Sequence, residues 1–214
     1  MKTSLLLSEL IGKPVRERYG RFKGTVVAIE TTQDGEGKAI VYENGGILVR
    51  SDVSSFHSDG AEVEVAHPTI YAAEKLRHDL SFLLVQRKSI VNLRGKGTIP
   101  HEIFTELQKE LDSRYESLAE TLNKLVKKLG ERLNWIDKRR DWIHRLVINL
   151  EVAHKMKMLR DEEYGSLNEK LKEELSCTLN EAEEIKKYRS DISSISTSIK
   201  ENREGTPETS ADVQ

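Results

Sequence analysis

Between Pro100 and Lys200 about a hundred residues pass with no proline after the first, and apolar side chains recur at three- and four-residue steps. That period brings one face of an α-helix round every two turns, and the stripe it draws needs a second helix against it. Leu111, Leu118, Leu122, Leu125 and Leu129, then Leu133, Ile136, Ile143, Val147 and Leu150, trace the stripe. A rod of this length is expected to find its cover in another copy of itself. The seam between copies is read as Leu118, Leu122, Leu125, Leu129, Ile136, Ile143 and Leu150, giving a homo-oligomer or filament.

The rest of the chain differs in kind. Eight of the thirteen glycines precede Ala61, and from Leu10 to Val65 short apolar runs alternate at two-residue steps between glycine-bearing turns. Thr25 to Ile29, Ala39 to Tyr42, Ile47 to Val49, and Val63 with Val65 read as strands. Asp34-Gly35-Glu36-Gly37 and Asn44-Gly45-Gly46 supply the positive-φ positions of tight hairpins. Strands this short protect their edges best in a small closed or nearly closed antiparallel barrel.

Here the residues carry a resemblance. Leu10-Ile11-Gly12-Lys13-Pro14-Val15, followed by Tyr19-Gly20-Arg21-Phe22-Lys23-Gly24-Thr25-Val26, resembles the opening of a PRC-barrel: a Gly-Lys-x-Val strand, a turn glycine, and a second glycine leading into a Val/Ile strand. Gly46-Ile47-Leu48-Val49 and Val63-Glu64-Val65 fall where that barrel's closing strands would be. A lone N-terminal barrel followed directly by a long coiled coil is similar to the CdvA family of archaeal cell-division proteins, over nearly the whole chain. That resemblance implies a filament-forming protein that marks the division site, contacts membrane and DNA, and recruits the ESCRT-III-like CdvB protein.

After His67-Pro68 the period turns helical, and three helices are expected at about 71–93, 99–157 and 160–200. Gly95 and Gly97 break the first, Thr98 is read as the cap of the second, and Asp161 opens an acidic first turn for the third. The middle helix would be on the order of 85 Å long, matched by the outer two together. The preferred reading folds the third helix back on the second through Leu171, Leu175, Ile185, Ile192, Ile195 and Ile199. The alternative is one straight rod, since no proline or glycine marks the stretch from Met156 to Asp161. Gly130 is a candidate bend. The polar run 201–214 is expected to be disordered, and in it only Val213 could serve as an apolar contact for an ESCRT-III-like partner.

Charge is uneven. Counting Asp, Glu, Lys and Arg, residues 1–70 sum to -2, residues 71–157 to +6 and residues 158–214 to -6. Lys124 to Arg145 alone carries +5. On a helix Trp135, Lys138, Arg139, Trp142 and Arg145 form a second stripe beside the seam. Tryptophan amid cations suits the headgroup layer of an anionic membrane, and it also suits a phosphate backbone. The structural alternative packs both tryptophans against another chain or the third helix, with the arginines paired to acidic residues there.

Little supports catalysis. His101-Glu102 lacks the second histidine of a zincin helix, His144 and His154 lie ten apart with no carboxylate at ligand spacing, and no phosphate-cradling glycine loop is present. Cys177 is the single cysteine, which fits a reducing cytosol. Leu5, Leu6 and Leu7 are too short a run for a signal peptide. No metal, no cofactor and no small-molecule substrate are expected.

The reading is therefore an α+β protein: residues 1–69 a PRC-barrel-like β domain, residues 70–200 a helical coiled coil, residues 201–214 a polar tail. It acts without enzymatic chemistry as a cytoskeletal scaffold in archaeal cell division, in the cytoplasm at the division site on the inner face of the membrane or at the nucleoid. The runner-up is a PRC-barrel nucleic-acid-binding module in ribosome maturation or RNA processing.

Overall fold

The computed structural model describes residues 9–58 and 61–204. The readings placed on Leu5 to Leu7 and on the tail from Gly205, Val213 included, lie outside the described residues.

Six strands form one curled sheet: β1 (Pro14–Glu17), β2 (Lys23–Thr31), β3 (Gly37–Asn44), β4 (Ile47–Asp52), β5 (Phe56–Ser58) and β6 (Val63–Val65), in the spatial order β4-β3-β2-β1-β6-β5. Neighbours pair antiparallel except β1 and β6, which run parallel with Val15 opposite Val63. The result is a half-barrel. A short 3-10 turn, Val53–Ser55, separates β4 from β5 and is capped by Asp52, whose side chain accepts from the Ser54 amide. Inside the curl, Val15, Val26, Ile40, Val63 and Val65 pack with Tyr42, whose ring stacks on Phe22 at 5.3 Å and meets the edge of Phe56 at 5.9 Å.

Gly24 is required by a close approach of two backbones. A Cβ there would stand 1.8 Å from the Glu43 carbonyl oxygen on β3, so the two backbones close up only without a side chain.

Three helices follow: α1 (Pro68–Gly95), α2 (His101–Lys155) and α3 (Asp161–Glu204). The third runs four residues into the stretch expected to be disordered. Two helix ends share one device and differ in its residue. At the end of α1 the Gly97 amide donates to Arg94 and the Thr98 amide to Leu93, with Gly97 at φ +68°. Thr98 thus closes α1 and does not cap α2. At the end of α2 the Lys157 amide donates to His154 and the Met158 amide to Ala153, with Lys157 at φ +60°. Both are the left-handed C-terminal motif that favours glycine. The hairpin turn invisible in the sequence is therefore built on a lysine in a glycine's conformation. Replacing Lys157 by glycine is expected to raise stability by about 1 kcal/mol, the strain relieved less the entropy glycine adds to the unfolded chain. A urea melt of the two proteins checks this, and a less stable glycine variant would contradict it.

The chain separates into two compact units, Met1–Tyr71 with Glu131–Glu184, and Ala72–Gly130 with Ile185–Gln214. The first unit joins the sheet to residues 131–155 of α2 and 161–184 of α3, and α1 from Ala72 onward lies in the second.

In the first unit α2 and α3 run antiparallel. Arg132 Nε donates to Glu181 at 2.6 Å and Arg139 Nε to Glu174 at 2.9 Å, so seven residues forward on one helix match seven back on the other. His154 stacks on Tyr164 at 4.1 Å and reaches Asp161 at 2.8 Å beside the turn. In the second unit three helices pack: Arg87 pairs with Asp112, Arg77 with Asp191 at 3.3 Å, and the Tyr115 hydroxyl with that of Ser196 at 2.8 Å. Ala73, Leu80, Leu83, Leu129, Ile185, Ile192 and Ile199 are fully buried there.

The seam assigned to contacts between copies is covered in part from within. In the isolated chain Ile136 is 1% and Ile143 0% exposed, Leu125 and Leu129 are buried, and Leu118, Leu122 and Leu150 are half-buried. In the single chain the covering helix that the period demands is α3. A five-residue turn holds α3 beside α2 at far higher effective concentration than a second molecule could reach.

Candidate interaction surface on the helical hairpin

The surface is built outward from one buried carboxylate. Glu181 of α3 is 0% exposed and accepts from Arg132 on α2 and from Arg21 of the sheet, the latter at 2.7 Å. Arg21 also donates to Glu17 at 2.8 Å, and Glu17 in turn accepts from the Tyr19 and Arg21 amides, which fixes the β1–β2 turn around it. Beside this cluster Arg18 and the Tyr19 hydroxyl both donate to Glu184, each at 2.6 Å. Burial, with the neighbouring Glu184 carboxylate second, pushes the Tyr19 phenol above its ordinary range. Three residues of one turn, Arg18, Tyr19 and Arg21, thereby hold the sheet on α3.

The next layer belongs to the predicted stripe. Glu174 accepts from both Nε and NH2 of Arg139, at 2.9 and 2.8 Å. The Arg139 guanidinium lies 5.5 Å from the Trp135 ring centre and 5.8 Å from that of Trp142, while Arg132 sits over Trp135 at 4.1 Å. Each arginine is thus clamped between a carboxylate on α3 and an indole on α2. The tryptophans form the outermost layer, Trp135 44% and Trp142 53% exposed. Lys138 and Arg145 are exposed and carry no ion pair among the described residues, whereas Arg140 is shared between Asp137 and Asp141.

Of the five stripe residues, then, Arg139 is bound internally and the other four face outward. Arg132 and Arg139 pair with α3 whereas Arg140 and Arg145 do not, and the indoles stay half-exposed. Sequence reasoning also stopped the stripe too early. Ile148, Val152, Met156 and Met158 are exposed large apolar residues that continue it to the turn. Their four-residue steps, 148 to 152 to 156, were the available signal.

Chemically the surface is an indole and aliphatic strip flanked by two free cations. Because Arg132 and Arg139 are neutralised by buried or half-buried glutamates, it is less cationic than the +5 counted along the sequence. Among the described residues no group of three or more His, Cys, Asp or Glu could hold a metal ion, and no helix is long and apolar enough to cross a membrane.

The chain is 24% identical over 149 residues to Cell division protein A of Sulfolobus acidocaldarius, an alignment covering 70% of this chain and 63% of that protein. The match therefore spans less than two thirds of the relative's length. No solved structure matches. Residues 70–213 match the family model described as the CdvA-like coiled-coil domain, and over that two-thirds of its length the chain belongs to this family.

Proposed function

We propose that the chain is a non-enzymatic scaffold of archaeal cell division. It works in the cytoplasm at the division site, assembles into filaments, touches the inner face of the membrane and recruits an ESCRT-III-like CdvB partner. Family membership and a relative named for cell division support the setting. The observation that carries the membrane contact is the pair of half-exposed indoles, stiffened by Arg132 and Arg139, at the head of the apolar strip that ends at Met158. Indoles at headgroup depth with aliphatic side chains beside them gain from burial, and Lys138 and Arg145 add about 1 kcal/mol each on an anionic surface. Internal neutralisation of the arginines favours lipid over a phosphate backbone, which would require their charge.

The test is co-sedimentation with vesicles containing anionic lipid. Trp135→Ala combined with Trp142→Ala is expected to reduce the bound fraction at least about tenfold, as the loss of two buried indoles implies, with helicity unchanged. An unaltered pellet removes the lipid contact. Electron microscopy of the native protein tests the filament, and a chain that stays single at every concentration removes it.

A further inference from the structure

With Leu125, Leu129, Ile136 and Ile143 of its seam covered internally, the chain assembles, if it assembles, through surfaces that are still open, half-buried Leu122 among them. Two are complementary. In the second unit a groove of about 570 Å³ runs between α2 and α3, floored by half-buried Leu122 and Val126 and walled on the α3 side by Lys186, Arg189, Ser193 and Lys200. The three cations are exposed and carry no ion pair among the described residues, although the arginines at 77, 87, 132 and 139 all have carboxylate partners. Lys186 and Arg189 are three residues apart on one helix face, where like charges repel.

The outward face of α3 in the first unit is the negative counterpart. Glu162, Glu169 and Glu173 are exposed, share one helical face, and likewise carry no ion pair among the described residues. Glu169 and Glu173 repel at four-residue spacing. The spacings agree. Arg189 and Lys200 are eleven residues apart, about 16 Å along the helix, and so are Glu162 and Glu173. Laid antiparallel, Glu173 meets Arg189, Glu162 meets Lys200, and Glu169 falls opposite the Ser193 hydroxyl.

Both stretches lie on the same helix, which cannot dock on itself, so the occupant is another molecule. We infer that the groove receives the acidic α3 face, Glu162 to Glu173, of a second copy, as a helix seated in a two-helix cleft. Groove and acidic face are different surfaces and every copy has one of each, so the contact is heterologous and links copy to copy, into an open chain where its rotation does not close a ring. This names the contact of the filament proposed above and rests on that proposal.

The experiment is a charge exchange in the full chain. One variant carries Glu162→Lys with Glu173→Lys, the other Arg189→Glu with Lys200→Glu. Each alone is expected to raise the concentration needed to pellet by about tenfold or more, since like charges then face one another. An equal mixture of the two is expected to pellet like the native chain, because every groove again finds an opposite face. Native assembly should also weaken as salt is raised. The contact is overturned if either variant assembles normally alone, or if the mixture fails to recover while circular dichroism shows both folded. Native filaments with unaffected variants sink the contact and spare the filament; a native chain that never assembles sinks both.

Discussion

Glu181→Ala is expected to lower the stability of the first unit by about 3–5 kcal/mol, the effect of removing one member of a buried ion network. The loss exceeds that of a surface pair for a specific reason. Glu181 is wholly buried and is the shared acceptor of Arg21 and Arg132, both largely withdrawn from water, so its removal leaves Arg132 without a counter-charge and Arg21 with Glu17 and Glu174 alone. The Glu181→Gln variant keeps the volume and an acceptor oxygen and should fall between. Urea unfolding followed by far-ultraviolet circular dichroism measures both. A loss for alanine comparable to an exposed salt bridge, below about 1 kcal/mol, would mean that the sheet is held on α3 by something other than this network.

Ile143→Ala should remove about 2–5 kcal/mol, the range for a buried isoleucine that leaves a cavity. Its value lies in the second measurement. Ile143 is fully covered by this chain's own atoms, so the loss should be the same across about a hundredfold range of protein concentration, whereas a residue buried between copies gives a stability that depends on concentration. A loss that shrinks on dilution would return the seam to the interface between molecules.

The two experiments probe what the sequence disclosed and what it withheld. Helical period and turn glycines announced three helices and most of the strands, because spacing of apolar residues is a local property that folding preserves. Phe56–Ser58 escaped as a strand: three residues after a 3-10 turn are too few to show alternation. The period also demanded a covering helix for Ile136 and Ile143, yet could not say whose, since a heptad stripe looks alike to a helix of the same chain and to one of another. The hairpin that settled the matter turns on Lys157, and nothing in a lysine advertises a positive φ. The candidate surface was legible as a pattern of tryptophan and cation. Which cations remain free was not, because Arg132 and Arg139 find their partners at Glu181 and Glu174, residues separated from them by 49 and 35 positions. The grip of Arg18, Tyr19 and Arg21 on Glu184, Glu181 and Glu174 reaches further still and left no local trace.

The rungs between α2 and α3 carry one more implication. Arg132 with Glu181 and Arg139 with Glu174 repeat at an interval of seven. Slid by one such interval, Arg132 would face Glu174 while Arg139 would face Leu167, so the slip forfeits only one rung of two and the ladder alone holds the count weakly. The counting is done by the short link from Met156 to Arg160, which acts as the zero mark of a vernier.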